Sequence, residues 1–209
     1  MNIAIRATED QKKELLEKGV GKTALIQWIE PGNKLSGIYA DALFDLTFND
    51  AKPAANEFID DMPVFAHAVN CTGHEINKPN YIRINAWNGF LSRPVVELAG
   101  GSDEYKKKAE EILKELERQF VWVADDYGFI AARVLAMIIN EAYYALEEKV
   151  STKTQIDIAM KLGTNYPFGP FEWSEKTGLE NILLLLQRLS GLSSRYTISG
   201  ALVQESQQF

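Results

Sequence analysis

The 209-residue chain holds one cysteine, Cys71, and two histidines, His67 and His74. A single thiol cannot build an internal disulfide framework or a cysteine-rich zinc module, and it suits a reducing compartment, so a cytoplasmic location is expected. Positive charge is also scarce: 22 Lys and Arg stand against 29 Asp and Glu, a net charge of −7. No uniform basic surface is available to neutralise a phosphate backbone, which argues against a nucleic-acid partner. Long apolar runs are missing. Even Ile182-Leu183-Leu184-Leu185-Leu186 is only five residues, far short of the ~18 that span a bilayer, and Met1 to Arg6 holds no apolar signal core. A membrane partner is therefore not expected. The chain also shows no internal repeat and no low-complexity block.

What is present is the composition of a folded globule, 46% hydrophobic and 11% aromatic, with enough length to bury a substantial core. The first half alternates short β and α units. Ile3-Ala4-Ile5 reads as a strand, Thr8 with Gln11 as a capping box opening a helix, and Gly19 as that helix's close. Ala24 to Ile29, Ala42 to Phe48 and Val64 to Val69 are further apolar stretches, with a short helix expected over Ala51 to Ile59. This predicts a small, mostly parallel α/β layer. Tyr81 to Ile84 and Val95 to Leu98 read as two more strands about an Asn88-Gly89 turn, and Gly100-Gly101 ends the unit. Residues 103–119 then carry apolar positions at helical spacing, followed by a strand over Phe120 to Val123. Gly128 to Leu146 is apolar nearly all round, so it is either a central core helix or part of a dimer interface. Two shorter helices, Thr152 to Leu162 and Leu179 to Leu189, flank a Gly/Pro-rich loop over 163–170. The domains expected are 1–100, a reduced α/β unit; 101–124, a connecting helix and strand; and 125–209, a helical unit.

Two constellations invite chemistry and fail on spacing. Gly19-Val20-Gly21-Lys22-Thr23 suggests a phosphate loop, but the required leading glycine is Leu16 and the segment follows a helix. A helix cap and turn explains it better. His67, Cys71, His74 and Glu75 are the one His/Cys cluster; position 78 is Lys78 and no fourth ligand is assigned, so no metal is expected. Glu97 is more informative, because a carboxylate inside Pro94-Val95-Val96-Glu97-Leu98 either faces solvent on an edge strand or is half-buried and needs a partner.

Gly128-Phe129-Ile130-Ala131-Ala132-Arg133, Asn140-Glu141-Ala142, Ile156 to Gly163, Tyr166-Pro167-Phe168-Gly169-Pro170-Phe171-Glu172 and Gly178-Leu179 resemble, in order, the C-terminal helical domain of the L-3-hydroxyacyl-CoA dehydrogenases. The resemblance implies a Rossmann-like α/β domain followed by that helical domain, in a homodimer. Upstream, Tyr81 to Asn88 resembles the family's strand that ends in its catalytic His, and Val95 to Leu98 its following Val-Glu strand. The family's His, general base for the 3-hydroxyl proton, falls on Asn85, and the Glu that orients it falls on Glu97, at the family's 12-residue interval. An amide has no proton-accepting nitrogen near neutral pH, so Asn85 cannot be that base, a loss of roughly 10²–10⁴ in rate.

The substrate-contacting Asn of the family falls on Ala132; Asn88 and Thr72 keep polar groups at matching places, and His74 lies in a shortened stretch as a conceivable relocated base. The three glycines of the family's dinucleotide turn fall on Ala7, Glu9 and Lys12, and Glu9 with Asp10 puts carboxylates where a pyrophosphate would sit. Glu30 alone matches a ribose-binding acid, 21 residues after Glu9. The resemblance thus implies a protein that binds an acyl-CoA or similar thioester without ordinary NAD-linked catalysis and with no cofactor. An active 3-hydroxyacyl-CoA dehydrogenase, with NAD or with altered chemistry at Glu97 assisted by Thr72 or His74, is the alternative; a dimerising scaffold is a third reading.

Overall fold

Ile3, Ala4 and Ile5 are buried on both sides of their strand, which is possible only for a strand with neighbours on both edges and cover on both faces. The computed structural model, which describes residues 1–19 and 24–207, supplies both. Strand β1 (Asn2–Arg6) lies between β2 (Leu25–Ile29) and β3 (Ala42–Asp45), and β4 (Val64–His67), β5 (Tyr81–Ile84), β6 (Val95–Gly100) and β7 (Gln119–Trp122) extend the sheet in the order β2-β1-β3-β4-β5-β6-β7. Every pairing is parallel except β5 with β6. The phosphate-loop-like residues 20–23 lie outside the described residues.

The chain divides into two units, Met1–Phe129 and Ile130–Phe209. In the first, α1 (Glu9–Lys18) and α3 (Asp103–Glu115) cover one sheet face, where Ile3, Ile5, Ile84 and Leu98 meet Leu15, Ala109 and Leu113. The other face buries Ala4, Leu43, Val64 and Ala66 under the loop residues Leu35, Phe48 and Met62. This is a Rossmann-like sheet with much of its helical cover replaced by loops. The helix expected over Ala51 to Ile59 is a single 3₁₀ turn, Pro53–Ala55. Asn56 ends it, its Nδ2 donating to the Asn49 and Pro53 carbonyls while its Oδ1 accepts from Asn49 N–H, side-chain bonds that compete with helical ones.

The segment expected to connect the domains, 101–124, supplies α3 and β7 to the first unit. Helix α3 stops at Glu115 rather than 119, because Glu117 turns left-handed and Arg118 N–H reaches back to the Leu113 carbonyl. Likewise the helix expected from Gly128 begins three residues later, as α4 (Ala131–Glu147), since Gly128 and Phe129 both have positive φ. The short helix α2 (Gly73–Ile76) was not expected from the sequence.

A guanidinium with no exposed surface fixes the middle of this unit. Arg83 Nε donates to the Ala68 carbonyl, Nη1 to Asp125 Oδ1 at 2.5 Å and Nη2 to the Asp126 carbonyl, and the group lies over the Phe129 ring. Asp125 also accepts the Gly73 N–H. A Cβ at Gly73 would sit 2.8 Å from Asp125 Oδ2, so a larger residue there would break the arrangement.

In the second unit α4 contacts α5 (Lys153–Thr164), α6 (Pro170–Thr177), α7 (Leu179–Ser190) and α8 (Gly200–Ser206). Helices α6 and α8 are additions to the sequence reading. The apolar circumference of α4 has a physical use: Leu135, Ala136, Ile139 and Tyr143 are buried. Polar ties close the unit, with Asn140 bonded to the Thr197 carbonyl and the Ser199 N–H. The Gly/Pro-rich loop ends on buried Asp157, which accepts the Phe171 N–H, and a Cβ at Gly169 would lie 2.2 Å from Asp157 Oδ1.

Replacing Asp125 by Ala should destabilise the protein by about 3 kcal/mol or more, because it strands the buried Arg83 charge. Urea unfolding checks this; a loss below about 1 kcal/mol would show that Arg83 is satisfied without it.

Candidate functional site

In open parallel sheets ligands bind beyond the carboxyl ends of the strands. Here those ends carry Arg6 on β1, Asp45 on β3 and His67 on β4, with Asn85 just past β5. Arg6 Nε and Nη2 donate to both Asp45 oxygens, at 2.9 and 2.5 Å, in a buried two-point pair. Helix α1 opens on Thr8, whose hydroxyl accepts the Gln11 N–H while Gln11 Oε1 accepts the Thr8 N–H. Gln11 Nε2 then reaches across the strand ends to the Leu46 and Ala86 carbonyls, at 2.9 and 3.1 Å. These residues do not fit a dinucleotide pyrophosphate. The helix start is capped by its own side chains, Glu9 and Asp10 occupy its first turn, and their charge opposes an incoming anion. Glu30 is exposed beyond β2, with its carbonyl accepting the Asn33 N–H in a turn.

His67 is held rather than presented. Its Nδ1 accepts the Ala86 N–H at 3.1 Å and its Nε2 lies 3.8 Å from Asp50 Oδ2, while Asp50 accepts the Val69 and Asn70 N–H groups. Burial lowers the imidazole pKa, against the opposing pull of Asp50 and Asp45. Cys71 is buried, His74 is exposed, and Glu75 closes a capping box with Thr72. Among the described residues no three His, Cys, Asp or Glu side chains are placed to hold a metal ion.

Asn85 and Glu97 are brought together. Strands β5 and β6 pair antiparallel at Ile82 with Gly100 and Arg83 with Ala99, and Asn85 and Glu97, beyond that pairing, both line one cavity of about 60 Å³ between the sheet, α1 and α3. Asn85 is 8% exposed; its Oδ1 accepts the Trp87 N–H and its Nδ2 has no partner. Glu97 is half-buried. Thr72 is spent on capping α2, Asn88 lies in the Trp87 to Phe90 turn, and neither lines that cavity with His74 or Glu30. Ala132 is fully buried and has no polar side-chain group to offer. Sequence reasoning missed the Arg6–Asp45 pair, the span of Gln11 and the role of Arg118 at the cavity. A charged residue closing each of two apolar strand segments, Arg6 and Asp45, was the signal available for the first.

Because the folded His67 has a lowered pKa, the unfolded chain takes up a proton below pH ~6.5 that the folded chain refuses. Stability is therefore fully present above pH ~6.5 and falls as pH drops through it, by at most about 1.4 kcal/mol per pH unit from this group. Melting curves between pH 5 and 8 should be flatter for His67→Gln than for the parent; identical slopes would refute this.

Residues 128–204 match the profile described as 3-hydroxyacyl-CoA dehydrogenase, C-terminal domain. The chain is 38% identical over 112 residues to 3-hydroxyadipyl-CoA dehydrogenase of Escherichia coli K12, a match covering 47% of this chain and 24% of that protein. It is 37% identical over 113 residues to 3-hydroxybutyryl-CoA dehydrogenase of Bradyrhizobium diazoefficiens, covering 52% and 38%. The matched segments thus span well under half of these relatives' length. The fold extends further: M. tuberculosis FadB2 superposes with a TM-score of 0.76 over 99% of this chain and 93% of that one, at 12% identity. No helix among the described residues is long and apolar enough to cross a membrane. The helical domain is thus similar in sequence to the C-terminal domain of the 3-hydroxyacyl-CoA dehydrogenases, and the whole chain shares the fold of a solved relative.

Proposed function

We propose that this protein binds an acyl-CoA or similar thioester and lacks ordinary NAD-linked turnover. The observation that carries the reading is the corner where α1 begins. Thr8 and Gln11 satisfy each other there, and Gln11 spans the ends of β3 and β5. A pyrophosphate would have to displace these bonds and face Glu9 and Asp10. The second support is chemical. Asn85, which shares a cavity with Glu97, falls where the resemblance places a general base, and a primary amide can donate to a thioester carbonyl but cannot take the 3-hydroxyl proton. What remains is a binding site.

Thr72 and His74 give little support to a relocated base, the first being committed to its capping box and the second exposed. A homodimer through α4 belongs to the same proposal: Ile130 and Val134, one turn apart, are 58% and 53% exposed, an apolar pair that a partner would cover. A reducing, cytoplasmic setting suits the buried thiol of Cys71.

Calorimetry with acetoacetyl-CoA, repeated with NADH while its absorbance is followed, tests the reading. The expected result is binding that ignores NADH, with turnover at least ~10²-fold below a general-base enzyme. NADH-dependent binding with rapid oxidation would overturn it, and loss of that oxidation in Glu97→Gln would then assign Glu97 to the chemistry. Sedimentation equilibrium should show a dimer that Val134→Glu converts to a monomer; a monomeric parent protein would remove the dimer.

A further inference from the structure

Strand β2 is one edge of the sheet, and no strand pairs with its outer side among the described residues. The alternation of a parallel ladder says which backbone groups are left there. Leu25 N–H donates to the Met1 carbonyl and the Ile29 carbonyl accepts the Ala7 N–H, with Leu25 in register with Asn2 and Ile29 with Arg6. Leu25, Gln27 and Ile29 therefore turn their backbone groups towards β1, and Ile26 and Trp28 turn theirs outward.

Natural sheets guard such an edge with lysine, proline or a bulge. Leu25-Ile26-Gln27-Trp28-Ile29 has no charge and no proline, and its register with β1 runs unbroken through the strand. Apolar side chains flank it on both faces. Leu25 is 72% exposed and Tyr39 is 90% exposed, and with Gln27 they line a groove of about 230 Å³. On the other face Lys12 of α1 lies over the Trp28 ring at 5.3 Å. Leu16, one helical turn on and so on the same side of α1, is 53% exposed.

We propose that β2 pairs with β2 of a second copy of this chain, antiparallel, about a two-fold axis at Gln27. In that register the N–H and carbonyl groups of Ile26 in each copy meet those of Trp28 in the other, so every outward group is answered. Gln27 then faces Gln27 in the close, non-hydrogen-bonded position. The occupant follows from self-complementarity. Ile26 stands beside Trp28 on the α1 face and Leu25 beside Ile29 on the other, while a carboxamide is donor and acceptor at once and can bond its own copy. No like charges are opposed, because β2 has none and Glu30, just past it, meets Ala24. So short a ladder is weak alone, with a Kd of about 10⁻⁴–10⁻³ M. It adds a second two-fold to the α4 contact proposed above and joins dimers as concentration rises. The pairing does not rest on the acyl-binding reading.

Disulfide trapping tests the register. Cα atoms about 4.5 Å apart at Gln27 are within disulfide reach, whereas the two Leu25 positions are four residues out of line, about 13 Å along the strands. Under mild oxidation with diamide, Gln27→Cys should form a covalent dimer at least ~tenfold faster than Leu25→Cys, or than Val121→Cys on the opposite edge. The parent protein, whose Cys71 is buried, should form none. The cross-link should persist when Val134→Glu removes the α4 contact. In the parent the Ile26 and Trp28 amides should exchange at least ~twofold more slowly at about 1 mM than at about 10 μM protein. Gln27→Lys, which sets two ammonium groups face to face, should abolish that difference. No cross-link at Gln27, equal rates at Gln27 and Leu25, a cross-link lost with Val134→Glu, or amide exchange independent of concentration would each overturn the inference. None of these outcomes bears on whether acetoacetyl-CoA binds.

Discussion

The first unit depends on a charge placed where charges are rarely tolerated. Arg83 has no exposed surface, and a guanidinium there survives only because each face of it is answered: the Ala68 carbonyl from the loop after β4, Asp125 and the Asp126 carbonyl from the segment after β7, and the Phe129 ring beneath. Replacing such a group by a well-packed hydrocarbon can be neutral in energy, so its value lies in direction rather than strength. The fork holds β5 and the segment 125–129 in one geometry. Gly128 N–H adds a bond to the Val69 carbonyl, and the positive φ angles of Gly128 and Phe129 turn the chain sharply just before α4 begins.

A second constraint follows from the strand ends. A parallel sheet concentrates chemistry at its carboxyl edge, and this chain has filled that edge with internal partners. Arg6 with Asp45, Gln11 with two carbonyls, and His67 with Asp50 and Ala86 N–H leave little there for a ligand. Unpartnered buried donors are found beside β5 and β6, among them Asn85 Nδ2, Trp87 Nε1 and Arg118 Nε. The strand ends from β1 to β4 are thus largely satisfied from within the chain, while buried donors beside β5 and β6 are not.

Much of this was legible in the sequence because the signals were local. The Thr8–Gln11 box, the Gly19 cap and the strands at Ile3 to Ile5 and Tyr81 to Ile84 are set by neighbours within a few residues. The resemblance put Asn85 and Glu97 at a 12-residue interval, and in the structure both line one cavity. What the sequence did not disclose is non-local. Arg83 reads as one charged residue in an apolar strand, and nothing nearby announces Asp125 some forty residues on. The span of Gln11 to Leu46 and Ala86 is hidden for the same reason. Helix ends were misjudged where a left-handed residue, Glu117 or Phe129, was not glycine, since periodicity sees the apolar face and not the turn.

The strongest sequence signature proves to be architectural. Gly169 admits no side chain because Asp157 packs against it; Asp157 in turn accepts the Phe171 N–H, and Phe171 stands edge-on to Tyr143 of α4. Lys161 pairs with Glu172, whose carboxylate also accepts the Gly169 N–H and is held below the usual carboxylate range by that lysine. The Tyr-Pro-Phe-Gly-Pro-Phe-Glu run is therefore a device for seating α6 on α5 and α4. Such a device constrains sequence through packing, whatever happens to the catalytic groups. Packing of this kind can keep a helical domain recognisable independently of what the α/β unit carries, because Asp157, Gly169 and Tyr143 make their contacts within the helical unit. The sequence likeness of residues 128–204 to that helical domain is thus supported by how the helices pack.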